Sequence, residues 1–172
     1  FKTGEAECFA LGAKIEVVKP VLNIGGGAAN AAVTFARQGF KTAAMVRLGN
    51  DDAGETVIKY FRNEKISPLI IRDKKEGTGY STILLAGGGE RTILVYRGAS
   101  ENWADKEIPW PKMRSRWAYI APGRIPLVIM EKILRQLKKH GTKIAMNPSK
   151  YYLELGVKRP KQMFGDLDIV IV

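Results

Sequence analysis

The chain has 172 residues, 45% of them apolar, with 28 Lys and Arg against 17 Asp and Glu, for a formal net charge of +11. That length and apolar fraction suit one well-packed globular domain, no apolar run approaches the roughly 18 residues needed to cross a bilayer, and no leader with a small-residue cleavage site opens the sequence, so a cytoplasmic protein without membrane attachment is expected. Cys8 and His140 are each the sole residue of their type, which excludes an internal disulfide and argues against thiolate or multi-histidine metal sites and a Ser-His-Asp hydrolase.

In chain order, residues 7 to 22 read as two short strands around Gly12-Ala13, a hairpin or flap that stops at Pro20. Ala28 to Arg37 reads as a helix, with Ala32, Phe35 and Ala36 at helical spacing and Gly39 as its C-terminal stop. Lys41 to Leu48 is a strand, and Glu55 to Glu64 a helix that places Val57, Ile58 and Phe61 on one face. Leu69-Ile70-Ile71 is a further strand, followed by a polar turn from Asp73 to Gly77. Thr78 to Leu85 and Arg91 to Tyr96 read as strands joined through Ala86-Gly87-Gly88-Gly89-Glu90, where hairpin chemistry accounts for the glycines better than a phosphate loop does. Trp117 to Ile120 is another strand. Pro126 to His140 is the clearest helix, with a predicted buried stripe of Val128, Ile129, Ile133, Leu134 and Leu137. Lys143 to Met146 and Ile169 to Val172 are short and continuously apolar, as buried parallel strands are. Alternating strands and helices predict an α/β domain with a largely parallel sheet.

The densest information lies at Gly25-Gly26-Gly27-Ala28-Ala29-Asn30. Glycines there allow a tight turn and close approach of a ligand, the helix that follows offers unpaired N–H groups, and Asn30 brings a donor and an acceptor. A dinucleotide fingerprint would need a third glycine where Asn30 stands, and a longer strand before the loop. Hydrogen bonding of Asn30 to a polyhydroxylated small molecule fits better. The basic residues are dispersed: Lys74-Lys75, Arg114 and Arg116, Lys138-Lys139, and Lys158-Arg159 with Lys161. A solvated surface, anionic small molecules and nucleic acid all remain compatible with that distribution, although no aromatics are interleaved as a single-strand-binding surface requires.

Gly26-Gly27-Ala28-x-Asn30-x-Ala32, six residues, Gly39, nine residues and Gly49 resembles the N-terminal signature of the ribokinase-like (PfkB) carbohydrate kinases at every defined position. Asp51 and Gly54, Thr78-Gly79, Gly98-Ala99 and Asn147-Pro148 are similar to the family in order and spacing. The resemblance implies a ribokinase-like α/β sandwich with a small β-lid, residues 1–24 supplying lid strands and residues 25–172 the N-terminal part of the core. It implies transfer of the γ-phosphoryl group of ATP to a hydroxyl of a sugar or sugar-like substrate, with Mg²⁺ shielding the phosphates. Carried over by position, Gly26, Gly27 and Asn30 would bind sugar hydroxyls, Gly79 would line the same pocket or pack the strands, and Asn147 would lie near the ATP phosphates or Mg²⁺-bound water. Arg97, after Tyr96, resembles the Tyr-Arg pair that kinases of acidic keto-sugars set against a carboxylate, a task suited to the guanidinium fork. Gly27 stands where family members often have Lys, which removes a direct charge.

The family's catalytic aspartate lies in a Gly-Ala-Gly-Asp segment, and the 172 residues contain none; Gly165-Asp166 follows Met163-Phe164 where small residues are required. The expectation is therefore a chain incomplete at both ends. It would hold a sugar-binding half without catalytic base, metal ligands or nucleotide-binding part, and be inactive by itself. The partner expected is a small-molecule sugar, with pairing of two lids into a homodimer as a further expectation and neither nucleic acid nor membrane involved. The alternatives are a non-catalytic sugar-binding module and a basic nucleic-acid-binding domain.

Overall fold

Two parallel ladders carry the architecture of the computed structural model, which describes residues 6, 8–17, 19–85, 88–155 and 163–171. The first pairs β1 (Ala43–Gly49) with β2 (Ser67–Asp73), in register from Ala43 opposite Ser67 to Gly49 opposite Asp73, with α2 (Asp52–Asn63) as the crossover. The second has the order β5 (Trp117–Ile120), β6 (Lys143–Met146) and β7 (Ile169–Val170), with α3 (Leu127–Lys139) crossing from β5 to β6. Helix α1 (Gly27–Arg37) precedes β1 and contacts both β1 and β5, so it spans the two ladders. Parallel strands need such crossovers, since a two-residue turn cannot return the chain to the same end of a sheet.

Helix α3 illustrates how the pattern becomes packing. Ile129, Met130, Ile133, Leu134 and Leu137 are buried on the larger core cluster, with Ile144 and Met146 of β6 and Tyr152. Each fully buried side chain of this kind contributes about 1.5–3 kcal/mol. The predicted stripe erred at one position: Val128 is 64% exposed while Met130 is fully buried. At about 100° per residue, Met130 continues the face of Ile133, Leu134 and Leu137, and Val128 lies outside it. The smaller core cluster joins Ala29 and Ala32 of α1, Ala44 of β1, Phe61 of α2 and Ile66. Phe35, at helical spacing with Ala32 and Ala36, is 37% exposed and meets Tyr119 edge-to-face at 6.0 Å.

β3 (Tyr80–Leu85) and β4 (Arg91–Tyr96) form an antiparallel ribbon, Tyr80 opposite Tyr96 and Leu85 opposite Arg91. Leu84 is half-buried, and Tyr80, Ile83, Leu85, Ile93, Leu94, Val95 and Tyr96 are exposed. The strands expected across residues 7 to 22 do not form among the described residues 8–17 and 19–22. An Ala13 N–H to Ala10 carbonyl bond closes a turn at Leu11-Gly12, with Gly12 at φ +74°. Leu11, Val17 and Leu22 stay exposed. Val172, predicted as the end of a strand, lies outside the described residues; β7 ends at Val170. A short helix, α4 (Lys150–Glu154), was not expected from sequence; it seats the fully buried Tyr152, whose hydroxyl donates to the Ile125 carbonyl.

Candidate functional site

Open α/β sheets bind ligands at the carboxyl edge of their parallel strands. The N-terminus of α1 reaches that edge. Gly26 caps the helix at φ +93°, a left-handed backbone that favours glycine, and no side chain caps it. Asn30 N–H makes the first intrahelical bond, to the Gly26 carbonyl at 2.9 Å, so the amides of Gly27, Ala28 and Ala29 precede the hydrogen-bonded run. A Cβ on Gly27 would stand 2.9 Å from the Ala121 Cβ, one residue beyond β5, so glycine permits this approach of helix to strand end. From there the edge continues to Asn147, whose N–H bonds the Ile120 carbonyl at 3.0 Å and whose side-chain amide donates to the Ile171 carbonyl at 2.9 Å. Asn30 is exposed and lines a hollow of about 260 Å³ with Ile24, Ala29, Val33, Thr34 and Tyr60.

Asp51 ties together three segments at the end of β1. Its carboxylate accepts from Gly54 N–H at 2.8 Å, Thr78 N–H at 2.7 Å and the Thr78 hydroxyl at 2.6 Å. The Thr78 hydroxyl in turn accepts from Gly49 N–H at 3.0 Å. The Thr78 hydroxyl and amide hold the Asp51 carboxyl below an ordinary aspartate's pKa, with Gly54 N–H adding to the effect. The glycines around it are packing positions. A Cβ on Gly49 would lie 2.5 Å from Thr78 N, and one on Gly54 2.8 Å from the Gly49 carbonyl oxygen. Asp51, Gly49, Gly54 and Thr78 thus form a joint between the end of β1, the start of α2 and the entry to the hairpin.

Gly79 and Arg97 face each other across the base of the hairpin: a Cβ on Gly79 would be 2.6 Å from the Arg97 carbonyl oxygen. Packing is therefore sufficient reason for a glycine at 79. Arg97 leads into a 3₁₀ turn at Gly98–Glu101, anchored by Ala99 N–H to the Gly77 carbonyl at 2.8 Å with Ala99 fully buried. Arg97, Glu101, Asn102 and Arg124 line a hollow of about 620 Å³ with Glu76 and Tyr96. The Tyr96 hydroxyl donates to Glu76 at 3.1 Å, and that bond pushes the phenol pKa up.

One charged group escaped the sequence reading. Arg47 on β1 is buried, paired with Asp73 at 2.9 Å and with Glu107 at 2.7 Å. Asp73 also accepts from Lys75 N–H at 2.8 Å and Glu76 N–H at 3.1 Å, and those amides first, then Arg47, hold its carboxyl well below the usual range. The signal available in sequence was only an Arg inside an apolar strand segment, which names no partner.

The predicted residues thus fall in three groups. Gly26, Gly27 and Asn30 share the first turn of α1; Asn147 connects to them through Ile120 and Ala121; Gly79 and Arg97 meet at the hairpin base. Asn30 and Arg97 line separate hollows. Among the described residues no group of three or more His, Cys, Asp or Glu side chains gathers to hold a metal, and no helix is long and apolar enough to cross a membrane.

An α/β fold with parallel ladders, an open helix N-terminus at their carboxyl edge and an exposed antiparallel ribbon beside it defines a ribokinase-like protein. Residues 4–167 match the model of the pfkB family carbohydrate kinases, and the chain belongs to that family. It is 31% identical over 133 residues to a ribokinase of Haemophilus influenzae, covering 73% of this chain and 42% of that protein. It is 28% identical over 154 residues to a 5-dehydro-2-deoxygluconokinase of Geobacillus thermodenitrificans, covering 84% of this chain and 40% of that one. The solved structure of a Thermotoga maritima ribokinase superposes with a TM-score of 0.74 at 23% identity, covering 92% of this chain and 50% of that one. The chain spans less than half the length of these curated relatives and half of that solved chain.

Proposed function

We propose that this chain supplies the sugar-binding half of a kinase that transfers the γ-phosphoryl group of ATP to a hydroxyl of a sugar or sugar-like substrate. The observation that carries the reading is the open first turn of α1, with Gly26 at positive φ and Gly27 pressed against Ala121, at the carboxyl edge of the ladders of a pfkB-family chain. The amides of Gly26 and Gly27 and the side chain of Asn30 take the sugar hydroxyls. Gly79 keeps the hairpin base closed, and Arg97 is the residue that would meet a substrate carboxylate.

The names of relatives span a ribokinase and a 5-dehydro-2-deoxygluconokinase, so neutral and acidic sugars both fall within reach. The exposed apolar β3–β4 ribbon supports a lid over the sugar, joined by residues 1–24, and a homodimer formed by two such lids. ATP and Mg²⁺ enter through the family. Asn147 would approach phosphates or Mg²⁺-bound water through its carbonyl oxygen, since its amide NH₂ donates to the Ile171 carbonyl. No acidic cluster for a metal is formed by the described residues. The 172 residues contain no Gly-Ala-Gly-Asp segment, so we infer that they bind sugar and do not turn over unaided. A cytoplasmic location fits this reading.

The test is ATP-dependent phosphorylation of a sugar panel by the complete protein, with Asn30→Ala as the variant. Loss of a hydrogen bond to a buried polar partner, about 1.5 kcal/mol, raises the sugar KM about tenfold. An unchanged KM removes Asn30 from the site, and no phosphoryl transfer to any sugar overturns the kinase reading.

A further inference from the structure

The buried Arg47 takes no part in the sugar reading, yet it sits at the root of the β3–β4 ribbon. Its side chain and that of Asp73 are only 5% and 7% exposed. A buried ion pair is weak evidence for stability, because desolvation of both charges offsets most of their attraction. Satisfaction is also incomplete here: among the described residues, Arg47 Nε finds no acceptor. Geometry is what the arrangement supplies instead.

The guanidinium joins an anchored part of the fold to a poorly packed one. On the anchored side, Glu107 accepts from Arg47 Nη1 at 2.7 Å. Glu107 ends a 3₁₀ turn, Asp105–Glu107, in which Asp105 pairs with Lys132 of α3 at 2.7 Å and its carbonyl accepts from the Trp110 indole at 3.1 Å. The next residue, Ile108, is buried in the larger core cluster. On the other side, Arg47 Nη2 donates to Asp73 at 2.9 Å. Asp73 is the last residue of β2, and its second oxygen accepts from Lys75 N–H and Glu76 N–H, which shapes the turn from which the ribbon departs. The Glu76 carboxylate in turn accepts from the Tyr96 hydroxyl at the end of β4. A continuous run of polar contacts thus leads from α3 through Glu107, Arg47 and Asp73 to the entry and exit of the ribbon. The ribbon's own side chains are exposed except for the half-buried Leu84, so apolar packing does little to set its angle.

We propose that Arg47 is a positioning residue for the ribbon: Glu107 orients its guanidinium, and through Asp73 it fixes the turn that aims β3 and β4. This deepens the reading of the ribbon as a lid over the sugar and rests on it. The Asp51–Thr78 joint pins the entering strand at one point, and Arg47 supplies the second point that stops the ribbon from swinging about the first. A ribbon correctly aimed for only part of the time weakens apparent sugar affinity by that fraction and leaves the chemical step alone.

The experiment combines amide hydrogen exchange with steady-state sugar kinetics on the complete protein. Glu107→Gln keeps shape and a carbonyl acceptor but removes the charge that orients Arg47. Arg47→Lys keeps the cation, but one ammonium replaces a fork that serves two carboxylates. Glu64→Gln, which weakens the Arg37 pair at the carboxyl ends of α1 and α2, is the control. In Glu107→Gln the β3 and β4 amides exchange about three- to tenfold faster while those of β6 move less than about twofold. The sugar KM rises about three- to tenfold, and kcat stays within about twofold. Arg47→Lys gives the same pattern, larger; should it fail to fold, Glu107→Gln carries the test alone. Unmoved ribbon exchange, an equal rise in β3, β4 and β6, a fall in kcat at constant KM, or the same pattern from Glu64→Gln overturns the proposal. Phosphoryl transfer with unmoved ribbon exchange removes the positioning role alone. Faster ribbon exchange in a protein that phosphorylates no sugar removes the kinase reading and leaves Arg47 as the ribbon's support.

Discussion

Replacing Asp51 by Ala tests the joint that holds the hairpin to the core. The carboxylate accepts three hydrogen bonds, from Gly54 N–H, Thr78 N–H and the Thr78 hydroxyl, at 2.8, 2.7 and 2.6 Å. Hydrogen bonds to a charged group contribute about 1.5–3 kcal/mol each, and Asp51 is half-buried, which puts each near the low end. The Gly54 bond is also the N-cap of α2, for which substitution by Ala costs about 1 kcal/mol. These overlap, and the stranded Thr78 N–H regains some solvent, so the expected loss is about 3 kcal/mol at pH 7. Urea denaturation followed by far-UV circular dichroism measures it.

The same carboxylate predicts a pH dependence with a definite sign. Its folded pKa is depressed below the ordinary 3.8 by the Thr78 bonds. Its contribution is then fully present above the unfolded value and is lost as pH falls through the lower, folded value. The gap between the natural chain and Asp51→Ala stays constant from pH 7 to about pH 5 and narrows only below about pH 4. A loss under about 1 kcal/mol, or a gap that widens on acidification, would show that the Asp51 bonds do not carry the joint.

Arg47→Met removes the cation from between Asp73 and Glu107 and leaves a buried carboxylate; the expected destabilisation is about 3 kcal/mol, kept to the low end because the Lys75 and Glu76 amides still serve Asp73. Adding Asp73→Asn restores part of it, and a double variant no more stable than Arg47→Met refutes the pairing. Gly79→Ala drives a methyl to 2.6 Å from the Arg97 carbonyl oxygen, so backbone must shift; a loss of about 1–3 kcal/mol is expected in the same denaturation assay, and a neutral result would mean the strands part freely there.

Where periodicity decides, residues were readable in advance. β5 and β6 lie at the predicted bounds, and α3 differs by one residue at each end from the predicted Pro126–His140. Continuous apolar runs and an i, i+3, i+4 stripe leave few alternatives for such segments. The shift from Val128 to Met130 shows the limit: the stripe's width is set by how far α3 rolls onto β6, which depends on the partner. α4 had no legible pattern, because five residues around one buried tyrosine are stabilised by the Tyr152–Ile125 contact across the fold. The strands expected in 7–22 failed for the converse reason. Their β-branched residues favour extension locally, but among the described residues they find no ladder partner, which only the tertiary arrangement could supply.

The candidate site divides the same way. Local chemistry was enough to mark Gly26 and Gly27 as an open helix start with Asn30 in the first turn, since a glycine-to-helix boundary exposes amides whatever the rest of the chain does. Fixed glycine spacing was enough to identify the family, with residues 4–167 matching its model. Tertiary structure alone decided what each glycine is for: Gly27 admits Ala121, Gly49 and Gly54 admit the Asp51–Thr78 joint, and Gly79 admits the Arg97 backbone. It alone placed Arg47 between Asp73 and Glu107, and Arg124 on Glu101. Partners 23 to 60 residues apart in sequence meet only after the ladders form. Hydrogen-bond partners and counter-ions at that distance are set by strand order and register, which no local pattern of residues encodes.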